Sequence, residues 1–482
     1  MFFNSRMTVA IAALAAVLAL AAVPPSAEAA KKKEEPAAQE NQPDFSKGFR
    51  KAAGPVQKDV TEQKWPEVLA GVAQLEALPE LNDDDWRVIL NWKLQAQQAT
   101  GDTDGLMNTL QTWLERGYAT PEQKVQFNQN LAAYYSKKED AEKTMQYYTA
   151  FLDANPDPDP QEIAVLGRLY LQRDENEQGA VWLNKAIAKA ESRGERPDEL
   201  YFQLLDRAYV QMKDPERRLS NLEELAKRYP KGDYYSRILA IYGQASKDDR
   251  VVMLNAYRLV LLDTGLTTVG EHLAYADHAL VLGSPGEALR AMEKGMAAGI
   301  VPRAGSNQEI VNEAKTAMAR DRKDLPKDAQ IAAKDPKGEL DVKIGLGFYS
   351  LGEWDKAIES VKRGLAKGGV KRVDDANLLL GAALVEKGLY GEAGQAFAAA
   401  AAAATDPYMK RVTGLWTAFV GRKAGGGFYR MTADKQREAL DLSSNIGHVG
   451  RIGGQAANHV EDRVILRQQG QRCDKGVKFF PG

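Results

Sequence analysis

The sequence predicts an all-α fold, an α-solenoid built from stacked helix–turn–helix repeats. Two stretches, residues 344–365 and 380–400, repeat one pattern of small, aromatic and apolar residues 36 positions apart. Apolar residues also recur at helical spacing through most of the chain. Weaker copies of the pattern precede the two clear ones, which indicates that the repeat belongs to a longer array.

The two clear copies agree at five positions with one offset. The matched pairs are Gly345 with Gly381, Gly352 with Gly388, Trp354 with Tyr390, Ala357 with Ala393, and Val361 with Phe397. The first glycine pair allows two antiparallel helices to approach closely, and the second allows the positive φ of a chain reversal. The aromatic residue after the turn covers the small core between the helices, and the alanine leaves room for the next helix.

This pattern resembles the tetratricopeptide repeat, which implies a right-handed α-solenoid of stacked helix pairs. One antiparallel hairpin from a helical bundle is the alternative, but five matched positions favour a stacked array. We count eight or nine helical pairs between residues 61 and 424, clearest at 340–405, while residues 306–335 are predicted to be helical without a clean motif. Weaker copies of the motif begin around Leu131–Ala132, Leu166–Gly167, Leu205, Leu239 and Ala276.

The N-terminus has the features of a secretory signal peptide covering residues 1–29. Arg6 precedes an apolar run from Val9 to Val23, and Ala27 and Ala29 occupy the small-residue positions of a cleavage site. The run of about 15 residues is short for a membrane anchor, although an uncleaved anchor is the alternative. Because no cysteine lies directly after the cleavage site, a bacterial lipoprotein is disfavoured.

Two further segments are predicted to lie outside the folded array. Residues 30–60 are predicted to form a disordered charged linker, because the stretch from Lys31 to Pro43 contains no apolar residue larger than alanine. Residues 425–482 are Gly-rich and lose the repeat pattern. We expect a disordered tail there, with an unusual end cap or an extension not native to the fold as alternatives.

The composition and motifs disfavour several classes of function. The net charge of −2 argues against a nucleic-acid or anionic-membrane partner bound through bulk charge. The single cysteine, Cys473, permits no intramolecular disulfide. His272 and His278 do not share a helix face, and His448 and His459 match no zinc spacing with Cys473. Neither a P-loop nor a nucleophile elbow is present. We therefore predict no catalytic, metal or cofactor site.

The resemblance implies a partner-binding groove lined by the first helix of each repeat. Its register places these polar candidates in the groove: Gln129, Arg168, Gln203, Arg207 and Asp277. Arg168 and Arg207 occupy equivalent positions of adjacent repeats and are predicted to clamp a carboxylate or acidic segment. Pairing of these arginines with local acids is the alternative. In the clear copies the groove is apolar, as at Leu378 and Ala382. The Lys and Asn clamp of chaperone-binding members is absent, so the prediction is peptide binding in general.

A narrower resemblance covers the region from Lys227 to Val301. It begins with K-R-Y-P-K-G-D-Y-Y-S-R-I-L-A-I-Y and continues with L-N-A-Y-R-L-V-L-L-D-T-G-L-T. This region is similar to periplasmic tetratricopeptide proteins found with the TonB–ExbB–ExbD energy-transduction system of Gram-negative bacteria. The resemblance implies a periplasmic accessory protein that docks other proteins.

The sequence thus predicts a non-catalytic periplasmic scaffold for protein–protein interaction, an accessory of TonB-dependent transport or of cell-envelope assembly. The expected partner is a protein or peptide, with no nucleic acid and no transmembrane segment after signal cleavage. One alternative is a groove enzyme acting on peptidoglycan, which requires an isolated glutamate with a raised pKa in a deep cleft. Another is a structural envelope protein that assembles end to end.

Overall fold

The computed structural model describes residues 43–246 and 249–425, and these contain twenty α-helices and no strand. The chain divides into two compact units, Met1–Ile241 (unit 1) and Tyr242–Gly482 (unit 2). Consecutive helices pack against one another in both units. The prediction of an all-α fold of stacked helix–turn–helix repeats is therefore confirmed.

The helices of unit 1 are mostly 12–18 residues long. They are α1 Lys47–Thr61, α2 Trp65–Glu76, α3 Asp83–Thr100, α4 Thr103–Glu115, α5 Pro121–Lys137, α6 Ala141–Ala154, α7 Pro160–Gln172, α8 Asn176–Ser192, α9 Glu199–Gln211 and α10 Pro215–Arg228. Helix α11, Gly232–Ala245, spans the boundary between the units.

Unit 2 contains nine further helices within its described residues. They are α12 Arg250–Asp263, α13 Val269–Val281, α14 Pro285–Ala297, α15 Ser306–Lys334, α16 Glu339–Ser350, α17 Trp354–Lys367, α18 Val373–Glu386, α19 Tyr390–Ala403 and α20 Pro407–Lys423.

The turn that ends the first helix of a pair contains one residue with positive φ, and this residue marks the repeat. These marker residues are Gln63, Gly101, Glu139, Asp174, Lys213, Gly283, Gly352, Gly388 and Gly425. The residue after the marker closes the turn, since Glu353 N–H donates to Phe348 O and Leu389 N–H donates to Leu384 O, both at 2.9 Å. The predicted positive φ of Gly352 and Gly388 is confirmed at 77° and 74°.

The predicted close approach at the other glycine pair is also present. A Cβ on Gly345 would lie 2.4 Å from Val361 Cγ2, and one on Gly381 would lie 2.3 Å from Phe397 Cε1. Ala357 and Ala393 are fully buried, as the motif requires. Each clear copy is therefore a helix pair held together by the residues that its sequence pattern identifies.

Helix α15 is a repeat whose two helices have fused. Gly283 and Gly352 are 69 residues apart, close to twice the repeat length, so a turn is due near Met318. The chain there reads T-A-M-A-R, which has no glycine and consists largely of good helix formers. One helix of 29 residues therefore replaces a hairpin. The prediction that residues 306–335 are helical without the motif agrees with this.

The predicted disordered linker is wrong for residues 47–60, which belong to α1. Phe49, Ala53 and Val56 are buried on one face of this helix and pack in a core that includes Val68 and Val72 of α2. These residues are four and three positions apart, the spacing of an amphipathic helix. Because the residues between them include charged ones, the overall composition of the segment suggested a linker instead. Within the described residues, the array therefore includes α1 as well as the helices after residue 61.

Several predictions concern residues outside the described ranges. The signal peptide, the first part of the linker, nearly all of the tail, and His448, His459 and Cys473 all lie there. Among the residues that the structure describes, no helix combines the length and apolar character needed to cross a bilayer.

Helix α12, at the start of unit 2, packs against helices near the end of that unit. This helix is buried at nine consecutive residues, from Val252 to Val260, and contacts α13, α18 and α20. The indole N–H of Trp416 on α20 donates to Asn255 O at 3.1 Å, and the Asn255 side-chain amide donates to Asp375 on α18 at 2.8 Å. Helices from the start and the end of unit 2 therefore share one core.

The non-glycine markers predict a route to higher stability. Lys213 and Glu139 have φ values of 55° and 59°, which cost a side-chain-bearing residue about 1–2 kcal/mol. Glycine removes this cost but gives the unfolded chain more freedom. We expect Glu139→Gly/Lys213→Gly to raise the free energy of unfolding by about 1 kcal/mol, measured by urea unfolding. Gly352→Ala, the matched reverse change, should lower it, and a loss of stability in the double variant would contradict this explanation.

Candidate functional site

The first helices of the repeats lie side by side in unit 1, where α7 contacts α9 directly. The marker residues give a common register for these helices. Gln129 and Gln203 each lie ten residues before a marker, and Arg168 and Arg207 each lie six residues before one. The two arginines therefore occupy equivalent positions on neighbouring helices, as the sequence register placed them.

Arg168 and Arg207 are available for a partner. Arg207 is exposed and Arg168 is half-buried. Within the described residues, neither side chain makes a hydrogen bond, an ion pair or a ring contact. Pairing with local acids, the alternative considered from the sequence, is therefore not seen there. The axes of packed helices lie about 10 Å apart, so two long arginine side chains on neighbouring helices can reach the same carboxylate between them.

Asp206, the residue before Arg207, is buried and bound to two other arginines. It occupies the position that holds glycine in the clear repeats, and its two oxygens accept from Arg218 and Arg237, each at 2.8 Å. This carboxylate is thus saturated without Arg207. Sequence reasoning missed this triad, and an aspartate at the small position was the signal that could have revealed it.

A second polar cluster adjoins Gln203 at the start of α9. Gln203 is exposed and donates to Tyr234 Oη at 2.9 Å, and Lys231 donates to Glu199 at 2.7 Å. Tyr234 also donates to Glu199. Partial burial works to raise the pKa of Glu199, but the hydrogen bonds from Lys231 and Tyr234 outweigh it and hold that pKa below its usual range. Glu199 is therefore ionised and already neutralised by Lys231.

The other two candidates from the sequence differ in their surroundings. Gln129 is exposed on α5 in unit 1. Asp277 is exposed on α13 in unit 2, where its carboxylate forms an ion pair with Arg250. The structure thus places four of the five candidates in unit 1 and leaves Asp277 engaged by a neighbouring helix.

The apolar groove predicted for the clear repeats is absent from unit 2. Leu378 and Ala382, at the groove positions of α18, are fully buried, as are Leu415 and Phe419 at the same positions of α20. Helix α12 contacts both of these helices and covers this face. What the sequence suggested as an open groove is the interior of unit 2.

A buried polar network holds this interior together. Arg258 and Glu287 form two hydrogen bonds of 2.7 Å, and both side chains are almost completely buried. Tyr275 Oη donates to Glu287 at 2.8 Å, and Ser284 also donates to it. Burial works against the charge of Glu287, but Arg258 outweighs it and lowers the pKa of Glu287. The network is fully paired and has a structural role.

The clefts on unit 1 include a larger and a smaller one near helices α7 to α10. The larger has a volume of about 630 Å³ and is lined by both acidic side chains and tyrosines, including Asp198, Glu199 and Tyr229. The smaller, about 430 Å³, lies between α8, α9 and α10. Glu386, whose pKa is raised by burial, lines neither cleft. Among the described residues, no group of three or more acidic, His or Cys side chains could hold a metal ion.

No protein-family model matches the chain, and no curated protein matches it. Solved structures that it is similar to include a tetratricopeptide repeat protein from Parabacteroides merdae, at 13% identity and a TM-score of 0.23 over 56% of this chain and 100% of that one. Another is the TPR2AB domain of yeast Sti1 in complex with pHSP90, at 11% identity and a TM-score of 0.21 over 61% and 98%. A third is the P58(IPK) TPR domain, at 14% identity and a TM-score of 0.20 over 78% and 99%. At these TM-scores the fold assignment rests on the helix pairs described above.

Proposed function

We propose that this chain is a non-catalytic scaffold that binds a protein or peptide partner on unit 1. The binding surface consists of the exposed faces of α5, α7 and α9 around Gln129, Arg168, Gln203 and Arg207. The observation that carries the proposal is the pair of arginines at equivalent positions of adjacent repeats, both without an intramolecular partner among the described residues.

The chemistry of this surface favours an acidic segment. Each guanidinium presents several donors in a fork that fits a carboxylate. Lys231 and Arg237 form ion pairs with Glu199 and with Asp206. Arg168 and Arg207 form none among the described residues, so they can neutralise a carboxylate of the partner, while Gln129 and Gln203 offer polar groups beside them.

Removal of both arginines should weaken binding of an acidic peptide. A hexaglutamate peptide is a suitable probe, because the natural partner is unidentified. A hydrogen bond to a charged group contributes about 1.5–3 kcal/mol, so Arg168→Ala/Arg207→Ala should lower the affinity by about tenfold or more, measured by calorimetry. Arg168→Lys/Arg207→Lys keeps the charge but loses the fork, and should give an intermediate affinity.

Lys47→Ala/Lys51→Ala is the matched control, because it removes two exposed positive charges from α1, a helix of unit 1 that is not part of this surface. It should bind the peptide almost as the unmodified chain does. Equal affinity of the arginine variant and the unmodified chain, with helicity unchanged, would remove Arg168 and Arg207 from the site.

We further propose that the protein acts in the periplasm of a Gram-negative bacterium, as an accessory of TonB-dependent transport or envelope assembly. The features of residues 1–29 and the resemblance at residues 227–301 support this. Crosslinking in intact cells followed by mass spectrometry tests it. Recovery of TonB-system components is the expected result, whereas recovery of peptidoglycan fragments alone would favour an envelope-cleaving role instead.

A further inference from the structure

The solvent face of α15 has the spacing of a helix that faces another helix. Six exposed residues follow one another at intervals of four, three, four, three and four, so they form one stripe along the helix. The residues of this α15 stripe are Glu309, Glu313, Thr316, Arg320, Lys323 and Lys327. The opposite side of α15 carries its buried residues, Val311, Ala314 and Ala332.

The charges along the α15 stripe are segregated. Its first two residues are acidic and its last three are basic. Glu309 and Glu313 are four residues apart, as are Lys323 and Lys327, and like charges at this spacing repel on an isolated helix. The stripe therefore contains two repulsive pairs, an acidic one near its N-terminal end and a basic one at its C-terminal end, which is unfavourable for an isolated helix.

No contact within the described residues compensates for this repulsion. None of the five charged residues of the stripe forms an ion pair there, and the one ion pair found along α15 joins Lys315 to Glu293. Balanced i, i+4 pairs, which helices on solvated surfaces commonly carry, are not formed along the stripe. The charges of the stripe thus have no ion-pair partner among the described residues.

The stripe is complementary to an antiparallel copy of itself. If two α15 helices cross at residue 318, Glu309 faces Lys327, Glu313 faces Lys323 and Thr316 faces Arg320, because each pair of numbers sums to 636. We propose that two copies of this chain associate through an antiparallel, two-fold symmetric pairing of their α15 stripes. Such an interface is isologous, so every pair occurs twice and four Glu–Lys pairs form.

The crossing point lies between Thr316 and Arg320 of the stripe. Thr316 is small and exposed, so it leaves room for the longer Arg320 side chain of the second copy. A helix of 29 residues is about 43 Å long, and the stripe spans most of its central part. A hairpin of ordinary repeats would not carry all six residues on one helix, so fusion of the repeat creates the surface.

The association should be weak and sensitive to salt, because exposed ion pairs each contribute little. Sedimentation of the full chain measures it, at protein concentrations from 10 µM to 1 mM. We expect a dimer with a dissociation constant of roughly 10 µM to 1 mM in about 10 mM salt, where the Debye length is about 30 Å. In about 1 M salt the Debye length is about 3 Å, so the ion pairs are screened and the dissociation constant should rise at least tenfold.

Two charge-reversal variants make the test specific. Glu309→Lys/Glu313→Lys makes the charged positions of the stripe entirely basic, and Lys323→Glu/Lys327→Glu makes them predominantly acidic. Each variant alone should be monomeric, since like charges then face each other. An equimolar mixture of the two should form a heterodimer, and a chain with all four changes should form a homodimer again.

Lys124→Glu/Lys410→Glu is the control, since it changes the net charge as Lys323→Glu/Lys327→Glu does, but at exposed residues elsewhere, and should leave the dimer intact. Circular dichroism of each variant shows whether it folds. A native chain that stays monomeric at 1 mM in low salt, or a dimer indifferent to all four reversals, would overturn the proposal. The outcome for hexaglutamate binding is independent of it. A confirmed dimer carries two binding surfaces, so a partner with two acidic segments would be held by avidity.

Discussion

Replacing Glu287 by glutamine is expected to lower the free energy of unfolding by about 3–5 kcal/mol, because it removes the carboxylate that forms the buried ion pair with Arg258. Both side chains are almost completely buried, and two hydrogen bonds of 2.7 Å join them. The remaining contact of Arg258 in this network is a hydrogen bond of 3.1 Å to the side-chain oxygen of Asn255. A neutral amide at position 287 cannot balance the guanidinium in an interior that excludes water.

The same pair gives stability a dependence on pH. The pKa of Glu287 is lowered in the folded state, since burial is outweighed by Arg258. A lowered folded-state pKa means that the stabilisation is fully present above the unfolded pKa, about 4.3, and is lost as pH falls through the folded value. Below pH 4 the unmodified chain should therefore lose stability more steeply than Glu287→Gln, which has no carboxylate to protonate.

Urea unfolding followed by circular dichroism measures both effects. Glu392→Gln is the control, because it breaks a half-exposed ion pair with Lys362 and should cost at most about 1 kcal/mol. Arg258→Met/Glu287→Gln removes the buried charge together with its partner, so it should recover part of the loss. A cost below about 1 kcal/mol for Glu287→Gln at neutral pH would show that water reaches Arg258 and that unit 2 is more open than described.

The local elements of the fold could be predicted because their causes lie close together in the sequence. Gly352 and Gly388 mark turns, since only glycine takes positive φ without cost. The pattern is weaker in the upstream repeats, because residues other than glycine occupy the positive-φ position of the turn there. These residues are Glu139, Asp174 and Lys213. Repeats without the turn glycine keep the apolar spacing of their helices, but the sequence no longer shows where one helix ends. The number of repeats could therefore be predicted only roughly.

The closure of unit 2 could not be predicted, because its contacts join distant parts of the chain. Asn255 bonds to Asp375 and to Trp416, which lie 120 and 161 residues further along. A repeat pattern specifies how each helix meets its neighbours, but it does not specify whether the first helices also meet the last ones. An open groove was therefore expected at Leu378 and Ala382, where α12 packs instead.

The candidate site was predictable in its register but not in its electrostatics. Counting from the motif placed Arg168 and Arg207 at equivalent positions. This counting could not show that Asp206, the residue before Arg207, is bound to Arg218 and Arg237. Charge pairing depends on which helices are adjacent, and that information appears only when the repeats are stacked.

Replacing Gly286 by alanine is expected to cost unit 2 about 3 kcal/mol. A Cβ at this position would lie 1.9 Å from Ser350 O and 2.7 Å from Ser350 C, which are backbone atoms and cannot turn aside. Gly286 N–H donates to Ser350 Oγ at 2.8 Å, and Arg290 donates to Ser350 O at 2.7 Å. The start of α14 must therefore shift away from the end of α16, which breaks both hydrogen bonds and the packing around them.

Gly391→Ala is a matched control, because Gly286 and Gly391 are both the second residue of the second helix in a repeat. No atom would lie within 4 Å of a Cβ on Gly391, so alanine there should leave stability unchanged or raise it by up to about 1 kcal/mol. Thermal unfolding should show a midpoint lower by about 6–12 °C for Gly286→Ala, and the same or higher for Gly391→Ala. Equal midpoints for the two variants would mean that the start of α14 does not touch the end of α16.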